Sequence, residues 1–216
     1  MHLAFASAAI FVLYRLLCVF PSRTHVVKRK RTKSLAVFLG SGGHTTEALT
    51  LISALSFDHY SPRTYVVSKG DSFSSQKASE LEVSKGTAVS PPQYTILTIP
   101  RARRVHQSIM TTPGTAFYSL LWCIYHVAFS RGGRAAFADL LILNGPGTCF
   151  VLCIAVCFNK FFGLPAPRII YIESFARVNS LSLSGKLLYP FVDRFIVQWP
   201  QLLEIARGAE FHGLLV

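Results

Sequence analysis

The sequence predicts an α/β fold: a Rossmann-like doubly wound parallel sheet preceded by one transmembrane helix. Three observations lead there. From residue 34 onward, short β-rich runs alternate with helix-like stretches, the pattern of parallel strands joined by crossover helices. Two of those runs end in glycine turns that open helices, Gly40-Ser41-Gly42-Gly43-His44 and Asn144-Gly145-Pro146-Gly147-Thr148. Residues 3–20 are apolar apart from Arg15, and a basic cluster follows directly.

The N-terminal run is about the length a bilayer requires. Arg15 lies near its end, where a long side chain snorkels toward the interface. Arg23, Lys28, Arg29, Lys30, Arg31 and Lys33 come after the run, and no Lys or Arg precedes it. A cleavable signal peptide has the reverse order. The positive-inside rule puts the basic flank, and the domain behind it, in the cytosol. The expected organisation is an anchor over 1–21, a basic juxtamembrane linker over 22–33 and one domain over 34–216. The formal net charge is +12, but seven of the 22 Lys and Arg fall in residues 1–33, which hold no acid. The basicity therefore reads as topology and attraction to anionic lipid, not as a nucleic-acid surface. A mean hydropathy of +0.41 fits a membrane-associated chain. Five cysteines, an odd number at a cytosolic address, argue against a disulfide framework. Cys149, Cys153 and Cys157 share one helix face among apolar neighbours and read as buried thiols. Neither a metal site nor a cofactor is expected.

The run 35–39 opens the sheet, and 45–55 is the first crossover helix. Strand 64–68 leads to helix 72–83, and a loop containing Pro91-Pro92 leads to strand 94–99. Helix 115–129 is apolar nearly all round, and so is 148–162 after strand 140–143. Each is too short to span a bilayer. Each either fills the space beside the sheet or offers an apolar face to a membrane or lipid tail. Strand 168–173, helix 184–191, strand 195–198 and helix 201–206 complete the alternation, with 211–216 as a seventh strand.

Ligands of an open parallel sheet bind at the C-terminal ends of its strands. Both glycine turns, Glu173-Ser174, Lys69, Arg101, Arg103 and Arg104 follow predicted strands and belong to that edge. In the first turn Gly40, Ser41, Gly42 and Gly43 let the backbone bend tightly and offer N–H groups to an anion. The turn is not a dinucleotide fingerprint, since Thr45 stands where the third glycine belongs, and it lacks the Gly-Lys of a Walker loop. His44 is placed to accept a hydroxyl proton or bond a phosphate. Glu47, one turn later, either orients His44 or complements the helix dipole. The second turn offers the Asn144 amide and the backbone of Gly145, Gly147 and Thr148 to a sugar or diphosphate. Glu173 bonds sugar hydroxyls, acts as a base, or pairs with an arginine such as Arg177. Arg101 and Arg103 grip phosphates or form a solvated basic loop.

Seven features in order then carry a resemblance that covers nearly the whole chain. They are the N-terminal anchor, Gly40-Ser-Gly-Gly-His-Thr-Thr-Glu47, Ile99-Pro-Arg101, Asn144-Gly-Pro-Gly-Thr-Cys149, Tyr171-Ile-Glu-Ser174, Ser182-Leu-Ser-Gly-Lys186 and Val197-Gln-Trp-Pro200. The chain resembles the membrane-anchor subunits of the endoplasmic-reticulum UDP-N-acetylglucosamine transferase. The resemblance implies transfer of the second N-acetylglucosamine onto N-acetylglucosaminyl-diphosphodolichol in N-glycosylation, at the cytosolic face. It also implies the acceptor-side half of a GT-B fold, similar to the N-terminal half of the bacterial peptidoglycan transferase. A separate soluble catalytic subunit would hold most of the UDP-N-acetylglucosamine. It would dock through the C-terminal segment, here Leu214, Leu215 and Val216. His44 and Glu173 are both candidates for the base of an inverting transfer. Thr45, Glu47 and Ser174 join the glycine turns as expected substrate-binding residues. A pure recruitment scaffold, or a tethered phosphate- or nucleotide-binding protein, is the alternative reading.

Overall fold

The computed structural model describes residues 2–21, 32–86, 93–103, 107–129, 132–133, 135–145 and 147–215. The stretch 22–31 of the expected basic linker, together with Arg104, Pro146 and Val216, lies outside the described residues.

Seven strands form one parallel sheet: β1 (Leu35–Leu39), β2 (Arg63–Ser68), β3 (Tyr94–Ile99), β4 (Leu140–Asn144), β5 (Arg168–Ile172), β6 (Arg194–Val197) and β7 (Glu210–Phe211). Their order is β3-β2-β1-β4-β5-β6-β7. The order reverses between β1 and β4, which makes that boundary the topological switch point of a doubly wound sheet. The central strands are almost wholly apolar because helices cover both faces. Alternation along each strand divides the core in two. Leu35, Val37, Leu39, Ile142, Ile172 and Ile196 pack toward α2 (Gly43–Ser53) and α3 (Ser72–Ser84). Ala36, Phe38, Leu141, Leu143, Tyr171 and Val197 pack toward α4 (Thr112–Phe129) and α5 (Thr148–Phe162), with the short α6 (Leu183–Leu188) and α7 (Leu202–Ile205) on the same side.

Parallel pairing sets Leu39 opposite Asn144, so the two central strands end together and both glycine turns leave the sheet side by side. At the other side of β1, β2 begins one residue earlier than expected, at Arg63, because that guanidinium is buried. Its Nε donates to Glu82 Oε1 at 2.6 Å and Nη2 to Oε2 at 2.9 Å, while Nη1 donates to the Phe57 and Tyr60 carbonyls. Tyr65 adds its hydroxyl to Glu82 at 2.7 Å, and burial, reinforced by that carboxylate, holds the phenol well above its usual range.

Two expectations meet a different structure. The seventh strand stops at Phe211, because Gly213 takes φ +85°, outside the extended region. Beyond it Leu214 is exposed, while Leu215 packs back against the α2-side core. At the other end α1 (His2–Leu17) has 16 residues. That is about 24 Å of helix, against roughly 30 Å of hydrocarbon. No helix among the described residues is long and apolar enough to cross a membrane. Arg15 does not snorkel: its Nε and Nη2 donate to the Phe161 and Lys160 carbonyls at 2.5 and 2.7 Å. Those carbonyls lie in the last turn of α5, where intrahelical donors run out. Gly163, in the left-handed conformation, ends α5 directly beneath this guanidinium; a Cβ there would sit 2.9 Å from Arg15 Nη2. Phe20 then stacks on Phe191, their ring centres 5.9 Å apart.

The apolar helix α4 is buried on one side only. Ser119, Cys123 and Val127 face the core, whereas Phe117, Tyr118, Leu121, Tyr125 and Phe129 are exposed. α5 is the more enclosed of the two, and burial pushes the thiol of Cys149 at its start up to about 12. A thiol of that kind is protonated and inert at neutral pH.

Candidate functional site

The C-terminal edge of β1 and β4 gathers four of the expected residues into one hydrogen-bonded chain. Gly42, the residue before α2, has φ +67° and no side chain, so the first-turn N–H groups of α2 carry no side-chain cap. His44 and Glu47 follow on the first turns of that helix, three residues apart and therefore on neighbouring positions of its surface. His44 Nδ1 lies 3.1 Å from Asn144 Oδ1. Asn144 Nδ2 donates to Glu47 Oε2 at 3.0 Å, and Ser174 Oγ donates to Glu47 Oε1 at 2.8 Å. Strand parity explains the meeting. Asn144 follows Ile142 by two residues, and Ser174 follows Ile172 by two, so both point to the α2 side of the sheet.

The two turns touch. Gly145 has φ +130°, and a Cβ built there would lie 3.4 Å from the Gly40 Cα and 3.5 Å from the His44 ring. Glycine at 145 thus answers two demands, the backbone angle and the close approach. Ser41, Gly42, Gly43 and Gly147 are exposed around this contact, whereas Gly40 and Gly145 are buried beneath it.

Other expected residues are turned elsewhere. Thr45 is fully buried; its hydroxyl bonds the Gly40 carbonyl and Ser74 Oγ, tying the first turn to the Asp71-capped start of α3. Thr148 Oγ1 accepts from the Ala102 amide at 3.3 Å and ties the β3 loop to α5. Arg101 donates to the Lys69 carbonyl and Arg103 to the Gln107 carbonyl, and neither bonds the His44–Asn144 chain.

Glu173 is the clearest departure from the cleft. It shares the parity of Tyr171, so its carboxylate points to the α6 side and has no exposed surface. Oε2 accepts from Ser182 N at 2.9 Å and Ser182 Oγ at 3.1 Å, and Oε1 accepts from Ser174 N at 3.0 Å. Arg177 is exposed, and no bond between it and this carboxylate is among those that engage Glu173. Ser182 in turn caps α6 by accepting from Gly185 N at 2.9 Å. A Cβ at Gly185 would overlap Glu173 Oε2. The Ser182-Leu-Ser-Gly-Lys186 motif is therefore a socket for a buried carboxylate. Ser182 and Gly185 were not among the expected site residues, although the two-residue alternation from Tyr171 to Glu173 signals which way that carboxylate turns.

A cavity of about 1170 Å³ opens at the opposite, N-terminal edge of the strands, between α1 and residues such as Lys33, Arg168, Tyr189 and Arg194. None of the expected site residues lines it. The chemistry-bearing groups converge at the switch point instead.

That edge lies wholly within a family match. The family described as "Oligosaccharide biosynthesis protein Alg14 like" matches residues 35–215, from the start of β1 to the tail. The chain belongs to the Alg14 family. Among its relatives, a protein of Cryptococcus neoformans is 45% identical over 99% of this chain and 95% of its own length. One of Schizosaccharomyces pombe is 45% identical over 96% of each chain. One of Homo sapiens is 37% identical over 99% of this chain and 96% of its own. Each of those three is named as the ALG14 subunit of UDP-N-acetylglucosamine transferase. Within the Alg14 family match fall both glycine turns, the His44–Ser174 chain and the Glu173 socket.

Proposed function

We propose that this chain is the membrane-anchoring, acceptor-binding subunit of a split UDP-N-acetylglucosamine transferase. It adds the second N-acetylglucosamine to N-acetylglucosaminyl-diphosphodolichol in N-glycosylation, at the cytosolic face of the endoplasmic-reticulum membrane. The observation that carries the reading is the His44–Asn144–Glu47–Ser174 chain at the switch point of an Alg14-family sheet, beside two touching glycine turns. A single Rossmann-like sheet supplies one wall of a GT-B cleft, and the named relatives are subunits, so a soluble catalytic partner completes it.

In this reading the exposed turns and the start of α2 hold the acceptor diphosphate. The acceptor hydroxyl oxygen attacks the anomeric carbon of the donor sugar as the bond to UDP breaks. UDP leaves with that electron pair, and His44 takes the hydroxyl proton. Glu173, buried and fully bonded, shapes the loop after β5. Residues 1–21 anchor the chain, the basic linker lies at the anionic surface, and the exposed face of α4 rests on the bilayer. Leu214, Leu215 and Val216 receive the partner. Because Leu215 also packs on the core, Leu214→Asp is a cleaner probe than deletion: partner co-purification is lost and thermal stability is kept.

The test is transfer of labelled N-acetylglucosamine from UDP to an N-acetylglucosaminyl-diphospholipid, with and without the soluble partner. Activity is expected only with both chains and falls steeply in His44→Ala with the complex intact. Undiminished transfer by that complex would leave recruitment as the whole contribution of this chain.

A further inference from the structure

The amide of Asn144 has no freedom of orientation. The side chain is completely buried, and its Nδ2 has two partners: Glu47 Oε2 at 3.0 Å and the Ile172 carbonyl at 3.3 Å. A carboxylate and a carbonyl can only accept, so both amide hydrogens are committed. Rotating the amide by half a turn would set its oxygen against two acceptors. Oδ1 must therefore face His44 Nδ1, 3.1 Å away. An amide oxygen cannot donate, so Nδ1 has to carry the proton. A neutral imidazole holds one ring proton, and Nε2 is then left as a bare acceptor. Among the described residues no hydrogen bond engages Nε2.

Glu47 makes this arrangement one-sided. Without its carboxylate, Nδ2 would retain only the longer bond to Ile172, and a flipped amide could donate to His44 and favour the opposite tautomer. Ser174 Oγ, bonded at 2.8 Å to the second oxygen of Glu47, keeps the carboxylate turned toward Asn144. We infer that Glu47 is a positioning residue that fixes the His44 tautomer through Asn144, leaving Nε2 as the proton acceptor for the substrate hydroxyl. The inference rests on the reading of His44 as base, and it is separable from it. Glu47 need not touch substrate to act.

The experiment uses the full chain in complex with its soluble partner. It combines NMR of ¹⁵N-imidazole-labelled histidine with steady-state transfer to the N-acetylglucosaminyl-diphospholipid. In the wild type His44 should show a protonated Nδ1 and an unprotonated Nε2. Glu47→Ala should give mixed tautomers and a fall in kcat of about 10- to 100-fold, at or below the lower end of the contribution of a positioned base. The acceptor KM should stay within about twofold, because no substrate contact is removed. Glu47→Gln can still accept from Asn144 while its amide meets Ser174, so it should restore the wild-type tautomer and most of the rate. A wild-type spectrum with Nε2 protonated overturns the inference and needs no variant to fold. So does Glu47→Ala with an unchanged tautomer and rate. If His44→Ala lowers transfer strongly and Glu47→Ala leaves both rate and tautomer unchanged, the inference falls and the base assignment survives. If His44→Ala transfers normally, the base assignment falls, and with it the role given to Nε2.

Discussion

The Arg63–Glu82–Tyr65 cluster and the His44–Asn144–Glu47–Ser174 chain use similar groups on the same side of one sheet, and they differ in how they end. In the first, a bidentate ion pair with 1% and 0% side-chain exposure is closed by a tyrosine hydroxyl and two backbone carbonyls. These bonds tie the start of β2 to α3 and to the loop before β2, so their effect is rigidity at the outer strands. In the second, Asn144 is saturated while His44 and Glu47 remain half-buried, and among the described residues no hydrogen bond engages the second imidazole nitrogen. A closed network stabilises the fold, and an open one holds a reactive group in a set pose. The Glu173 socket belongs with the closed kind although it sits at the same edge.

Breaking the open network should act on rate and not on stability. His44→Ala is expected to lower transfer by about 10²- to 10⁴-fold, the usual contribution of a positioned base, with little change in the unfolding midpoint. A parallel fall in midpoint would show that the imidazole is a packing residue. Breaking the closed network should do the reverse. Glu82→Ala strands a buried guanidinium, and about 3–5 kcal/mol of stability should be lost in urea titration. Transfer per folded molecule should hold steady. Glu173→Gln sharpens the contrast, since it keeps the volume and removes a charge that accepts three short bonds. A loss of about 1–3 kcal/mol is expected, again with transfer preserved. Loss of transfer at full stability would move Glu173 to the open group.

The smallest effect concerns the far edge of the sheet. The Arg194 guanidinium bonded to Glu210 holds that carboxyl at about 2, below its usual range. A depressed carboxyl stabilises the fold above its unfolded pKa of ~4.3, and the contribution disappears as pH falls through the window from about 4 to 2. Glu210 and Arg194 are 34% and 50% exposed, so solvent screening keeps the effect below about 1 kcal/mol. Urea midpoints at pH 5 and pH 3 should differ slightly, and Arg194→Ala should flatten that slope.

Much of this was legible in the chain itself. Continuous apolar runs marked β1, β4 and β5, and glycine after a strand marked both turns, because these signals are local. Residue type and place single out His44, Glu47, Asn144 and Ser174, but not their mutual bonds. Those depend on the β1–β4 register and on strand parity at Asn144 and Ser174, which join residues about a hundred positions apart. The Arg63–Glu82 pair escaped because an arginine beside a strand reads as solvated until its partner on α3 is known. Glu173 ends a strand, a place that suits a base, a sugar ligand or a partner for Arg177 alike; counting in twos from Tyr171 turns it to the α6 side. Distance to the end of an apolar run points Arg15 to the interface, and a long-range cap overrides that.

The clamp of Arg15 on the last carbonyls of α5 has a geometric consequence. A tether made only of flexible chain would let a domain wobble about its attachment and present every side in turn. Here one guanidinium, and a glycine that leaves room for it, lock the axis of α1 to that of α5, while a stacked pair of rings holds the residues after α1. The angle between α1 and the sheet is thus built into the domain. If α1 enters the bilayer, the strand edge carrying His44 has a constant aim, and a lipid-linked sugar meets it at one fixed inclination.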